Sequence, residues 1–235
     1  KSECVFFQNN DDKDLFLKKN LVTKNQVDIL PGSGVNLEYY QPSNLNIVNR
    51  NQDEFVFLLI ARLIWDKGIQ EYVDAARLIK KSNLKVRFQI LGFLDVDNQT
   101  AVLRSDVDLW AEEGIIEYLG DVDDVRSFIE KSDCVVLPSY REGAPRALIE
   151  ASAMGKPTIA TDVEGCRDVV DNGVNGYLCN VRDVHDLAKK MKAMLNMDFK
   201  AIKQMGLKGR EKMENEFDER IVIDRYVSIV NKIVS

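Results

Sequence analysis

The chain has 235 residues, 45% hydrophobic and 30% charged, with a formal net charge of -6 at pH 7. That length and apolar content suffice for one large core, or for a domain and part of another. The acidic balance argues against a nucleic-acid binder, whose electrostatic footprint is basic, and no window approaches the ~20 apolar residues of a membrane-spanning helix.

In chain order, Cys4 to Gln8 reads as a buried strand, followed by an acidic turn, Asn9 to Asp12, and a short helix through Lys19. A second strand, Val27 to Leu30, runs into Pro31-Gly-Ser-Gly34, and Gln41 to Asp53 has the polar composition of a linker. From Phe55 strands and helices alternate. Strands are expected over Phe55–Ala61, Val86–Leu91, Ile115–Leu119, Cys134–Leu137, Thr158–Thr161 and Tyr177–Cys179. Between them lie helices over Gly68–Lys81, Val102–Glu113 and Val125–Lys131, then one after Pro145, and a loop after Thr161. In the first of these, Ile69, Tyr72, Val73, Ala76 and Ile79 share one face. The alternation predicts an α/β domain, a parallel sheet with helices on both faces. The end reads as three helices, Val184–Leu195, Ile202–Glu214 and Asp218–Ile233.

The chemistry concentrates at two turns. Leu137 to Pro157 reads as a strand end, an irregular turn, a helix opened by Pro145 in its first turn, and a stop at Gly155-Lys156-Pro157. Glu142 stands in the turn beside the free N–H groups of Gly143 and Ala144. Glu150 stands on an otherwise small and apolar helix, where an acid needs a partner. An i,i+4 pair with Arg146 is one candidate, although such pairs offer only about 0.2–0.5 kcal/mol. The other turn follows Phe55–Ala61: Arg62 ends the strand, and Lys67-Gly68 opens the next helix, the arrangement of an anion site. The plainer reading pairs both cations with Asp66 at the surface.

Glu-x7-Glu within Pro-Ser-x-x-Glu-Gly-x-Pro-x-x-Leu-x-Glu-Ala-x-Ala-x-Gly-x-Pro resembles the signature of glycosyltransferase family 4, the group 1 enzymes of GT-B fold. Ala61-Arg-Leu-Ile-Trp-Asp-Lys-Gly68, Ile90-Leu-Gly92, Tyr118-Leu-Gly120 and Asn172-Gly-Val-Asn-Gly176 match in order, so the likeness spans roughly Gly32 to Leu178. It implies a Rossmann-like donor domain over residues 53–216. Residues 1–52 would then be a remnant of an amino-terminal acceptor domain plus linker, and 217–235 a terminal helix crossing back toward that domain. The resemblance also implies a retaining transfer from a nucleotide-sugar, UDP-linked by preference, to a glycan or lipid-linked glycan, in the cytoplasm or at the inner membrane face. Any membrane association would run through the upstream half. It assigns Arg62 and Lys67 to the donor diphosphate, Glu150 to the ribose hydroxyls, and Glu142, with Gly143 and Ala144, to the donor sugar. The base would lie near Phe93 and the Tyr118 to Val122 loop. Gly165-Cys166-Arg167-Asp168 departs from the commoner Gly-x-Pro-Glu form, which leaves the donor sugar open. On this reading the chain binds its donor nucleotide but lacks what it needs to complete transfer.

No cofactor or metal is expected. Asp95-Val-Asp97, Asp106-Val-Asp108 and Asp121-Val-Asp123 suggest metal ligands by spacing, but repetition in an acidic chain dilutes the signal, and within a helix i,i+2 residues diverge. Cys4, Cys134, Cys166 and Cys179 lack metal-ligand spacing and read as reduced thiols, and His185 as a surface residue. The alternatives are a nucleotide-sugar-binding module without catalysis, a GDP-sugar-dependent transferase, and a GT-B phosphorylase or epimerase. A phosphorylase would need a lysine placed for pyridoxal phosphate, and no such motif is present.

Overall fold

The computed structural model describes residues 2–42, 54–82 and 85–234. Most of the expected linker, 43–53, lies outside them. The main sheet has six parallel strands: β3 (Phe55–Ile60), β4 (Val86–Leu91), β5 (Glu117–Tyr118), β6 (Cys134–Leu137), β7 (Thr158–Thr161) and β8 (Gly176–Cys179). Their order is β5-β4-β3-β6-β7-β8, with Phe57 of β3 set between Phe88 of β4 and Cys134 of β6. β6 and β7 are buried throughout, as strands covered on both faces must be.

One face is covered by α2 (Ile69–Lys80), whose Ile69, Tyr72, Val73, Ala76 and Ile79 are fully buried, together with α3 (Arg104–Glu112) and α7 (Val184–Leu195). The other is covered by α4 (Arg126–Lys131), α5 (Arg146–Ala153) and α8 (Phe199–Glu216). A short helix, α6 (Cys166–Val169), replaces the loop expected after β7. Its Cys166 and Val169 are buried, so the turn is held by packing rather than by propensity. Pro145 stands one residue before α5, because its carbonyl takes the first helical bonds, from the N–H groups of Leu148 and Ile149.

The opening residues form their own two-stranded parallel sheet, β1 (Val5–Phe7) and β2 (Val27–Ile29), joined by α1 (Asn10–Lys18). The expected acidic turn is instead the start of α1. Asn9 caps it by accepting from the Asp12 N–H at 2.8 Å, and Asp11 and Asp12 suit the positive end of its dipole. The last helix, α9 (Glu219–Val234), runs beside this sheet: the Phe6 and Tyr226 rings lie 4.8 Å apart, and Arg225 reaches Asp28 at 3.3 Å. At the α8–α9 junction the Val35 N–H donates to Phe217 O at 2.7 Å, and the Glu219 N–H donates to Val35 O at 3.1 Å. The Arg210 guanidinium joins three segments by donating to the carbonyls of Leu37, Tyr40 and Ala153. Among the described residues no helix is long and apolar enough to cross a membrane.

Candidate functional site

The chain leaves β3 toward β4 on one side and leaves β6 toward β7 on the other. Their carboxyl ends therefore flank a switch point, where ligands of open α/β sheets bind. After β3, Trp65–Lys67 makes one 3-10 turn, and Gly68 follows at φ +70°. A Cβ at Gly68 would overlap the carbonyl of Pro138, so only glycine lets this turn sit against the end of β6. The Asp66 carbonyl then accepts from the Tyr140 N–H at 2.8 Å and the Ser139 hydroxyl at 3.1 Å.

This closure brings Lys67 and Glu142 together: Nζ lies 2.5 Å from Oε1, and the side chains are 20% and 11% exposed. Neither is a solvated surface group. The Asp66 carboxylate accepts from the Thr100 hydroxyl at 2.7 Å and pairs with neither Arg62 nor Lys67. Arg62 is exposed just past the carboxyl end of β3, with no ion pair or side-chain hydrogen bond to any described residue. One cation is thus held by a carboxylate and another is free, at the place where an anionic ligand would enter.

The Glu142-Gly143-Ala144 turn is wedged on two sides. Gly165, at φ +72°, lies against the carbonyls of Glu142 and Gly143. The Gln8 side chain occupies the space that a Cβ at Gly143 would need, and Gly32 abuts the Ala144 methyl. Gln8 and Gly32 had no signal in the sequence as site residues. A cleft of about 480 Å³ borders Gln8, Arg167 and Asp168, but neither Lys67 nor Glu142 lines it. Cys166 is buried beneath the turn, and burial, with the charge of Glu142, pushes its thiol well up, leaving it an unreactive core group.

Glu150 is buried, and the pair with Arg146 does form, at 2.9 Å. The Tyr40 hydroxyl is a second partner, pushed up to about 12 by burial and then by the Glu150 carboxylate. The apolar helix therefore does not leave its acid unmatched, as the sequence suggested: the missing partner comes from a segment far away in the chain. On the other side of β3, the Tyr118 hydroxyl donates to Gly92 O at 3.0 Å, and the Gly92 N–H donates to Gly120 O at 2.8 Å. These bonds join the loops after β4 and β5, leaving Phe93 and Val122 exposed at their tips. The Leu63 N–H donates to Phe93 O at 2.9 Å, tying that surface to the strand end that carries Arg62. The candidates thus fall into a tight group (Lys67, Glu142, Gly143, Ala144), an adjoining rim (Arg62, Phe93, Tyr118, Val122), and Glu150 with its own partners. Among the described residues no three His, Cys, Asp or Glu side chains are gathered to hold a metal, and Asp95 is paired with Arg104.

A parallel sheet wound with helices on both faces defines the class of Rossmann-like α/β proteins. Within that class, the chain belongs to the glycosyl transferases group 1 family, whose model matches residues 41–212. It is 26% identical over 231 residues to the N,N'-diacetylbacillosaminyl-diphospho-undecaprenol alpha-1,3-N-acetylgalactosaminyltransferase of Campylobacter jejuni, covering 93% of this chain and 58% of that protein. It is 28% identical over 237 residues to the UDP-Gal:alpha-D-GlcNAc-diphosphoundecaprenol alpha-1,3-galactosyltransferase of Escherichia coli, covering 95% of this chain and 60% of that protein. The chain thus spans somewhat under two thirds of each relative. Among solved structures, Anabaena Alr3699/HepE in complex with UDP superposes with a TM-score of 0.83 at 20% identity, over 98% of this chain and 64% of that one. The fold is that of the GT-B glycosyltransferases, with the Rossmann-like sheet expected.

Proposed function

We propose that this chain is the donor-binding half of a retaining family 4 glycosyltransferase. It would bind a UDP-sugar and serve the transfer of a hexosyl or N-acetylhexosaminyl group to a glycan or lipid-linked glycan in polysaccharide assembly, at the cytoplasmic side and without a metal or cofactor. The observation that carries this reading is the Lys67–Glu142 pair at the β3/β6 switch point with Arg62 free beside it. A diphosphate entering there meets a guanidinium able to grip it bidentately. It also meets an ammonium already aimed by a carboxylate, and as the sugar leaves, both cations stabilise the charge growing on the departing diphosphate. Glu142 lies next to the sugar end of that diphosphate. Glu150 keeps acceptor capacity beyond Arg146 and Tyr40, since a carboxylate offers about four lone-pair sites, enough for a ribose diol. Phe93 and Val122 offer an apolar platform for the base beside Tyr118. The names of both relatives support a lipid-linked acceptor, and the UDP-Gal of the second and the UDP in the Anabaena complex support uracil.

The test is a thermal-shift screen against UDP, GDP and ADP followed by calorimetry. UDP should stabilise most, and Arg62→Ala and Lys67→Ala should each weaken UDP about tenfold to a hundredfold while sparing uridine, as expected for a lost charge-assisted hydrogen bond. Unchanged UDP affinity in both variants refutes the phosphate role, and a preference for GDP moves the donor to that base.

A further inference from the structure

Two loops and the start of α2 at the carboxyl edge of the sheet converge on one phenol that the proposed chemistry does not use. The Tyr140 hydroxyl donates to both carboxylate oxygens of Glu71, at 2.8 and 3.0 Å. Glu71 is buried in the first turn of α2, one helical turn beyond Lys67, and Tyr140 stands two residues before Glu142. The Arg182 guanidinium, from the loop after β8, lies 4.3 Å from the centre of the Tyr140 ring. Arg182 holds φ +57°, a left-handed conformation that a non-glycine residue keeps only where its surroundings impose it. Burial, reinforced by Glu71, pushes the phenol up to about 12, so it remains a neutral donor at working pH.

We propose that Tyr140 and Glu71 are positioning residues that set the separation of Lys67 and Glu142 across the donor crevice; this rests on the reading that the crevice binds a nucleoside diphosphate. The backbone already joins the two turns at the Asp66 carbonyl. A single joint leaves a hinge, because Lys67 follows the joint on one side and Glu142 on the other. The Tyr140–Glu71 bond is a second joint placed beyond the first. With both closed, neither turn can pivot without separating a buried carboxylate from its donor, which is costly. Arg182, 4.3 Å from the ring centre, adds a cation–π contact to this joint. The crevice is then preset for a diphosphate before the ligand arrives, and the ligand is spared that ordering cost.

A residue that merely stabilises the fold would weaken every ligand and every background alike. A positioning residue acts through Lys67, and this can be read by calorimetry with UDP on the full chain. Tyr140→Phe should lower UDP affinity roughly three- to tenfold with little change in melting temperature. Glu71→Ala should reproduce the loss from the other side of the bond. Glu71→Gln, whose amide oxygen still accepts from the phenol, should retain most of the affinity. In a Lys67→Ala background, Tyr140→Phe should cost less than about twofold, because the cation it positions is gone. Wild-type affinity in both Tyr140→Phe and Glu71→Ala overturns the proposal, as does an equal loss from Tyr140→Phe with and without Lys67. Absence of nucleotide binding by the wild-type chain instead removes the reading of the crevice itself, and the positioning role with it.

Discussion

At the scale of single residues, the two acids of the Glu-x7-Glu spacing have different surroundings and should fail differently. Glu142 pairs with Lys67, yet the Asp66–Tyr140 and Tyr140–Glu71 joints keep the Lys67 turn in place without that carboxylate, so Glu142→Ala leaves the cation at the phosphate. UDP affinity should hold while transfer by an active full-length enzyme falls by on the order of 10². Glu150→Ala should instead weaken UDP roughly tenfold. Calorimetry beside a transfer assay separates them, and equal losses of UDP affinity would sink this division of labour. The sequence made Lys67 and Glu142 legible because turn, glycine and charge fall together at family-like spacing. Tyr40 on Glu150, Gln8 on Gly143 and Tyr140 on Glu71 were invisible, since each pair joins segments distant in the chain and each residue type alone is ordinary.

At the scale of elements, long apolar runs announced themselves: β3, β4, α2 and α7 fall within a residue of their expected limits. α6 did not, because one turn of helix has no period to detect. The start of α9 carries a pH dependence. Asp218 is buried, accepts from the Arg220 N–H at 2.9 Å, and is held below the usual carboxylate range chiefly by the Arg220 guanidinium. A carboxylate depressed in the folded state adds stability above its unfolded value, about 3.9. That contribution is lost as pH falls through the lower folded value. Melting temperature should therefore drop more steeply on acidification below about pH 4 in the wild type than in Asp218→Asn, which titrates nothing there. Parallel slopes would show that this carboxylate is not coupled to folding.

At the scale of the whole molecule, the alternation of strands and helices gave away the parallel sheet, but not the strand order that places β3 beside β6. Order is decided by which helix covers which face, and that is a matter of packing. The opening residues meet the terminal helix at Tyr226 and Arg225, and the donor turn and Arg210 add contacts that no local pattern announces. Arg210→Ala leaves the carbonyls of Leu37, Tyr40 and Ala153 without this donor and should destabilise the fold by about 2–4 kcal/mol. Urea unfolding measures this, and a change below about 0.5 kcal/mol would show that water replaces the guanidinium at no cost.

The packing of Gln8 on Gly143, Gly32 on Ala144 and Gly34 on Glu219 has a consequence for inheritance. Each contact joins residues from opposite sides of the linker, and at Gly32 and Gly34 it leaves no space for an added methyl. Residues 32 and 144 therefore drift as a pair, since a side chain at 32 must await loss of the methyl at 144, while at 34 the backbone of Glu219 leaves room only for glycine. A chimera that takes its opening residues from one parent and its donor turn from another therefore breeds true only when the residues it brings together at 32 and 144 fit each other.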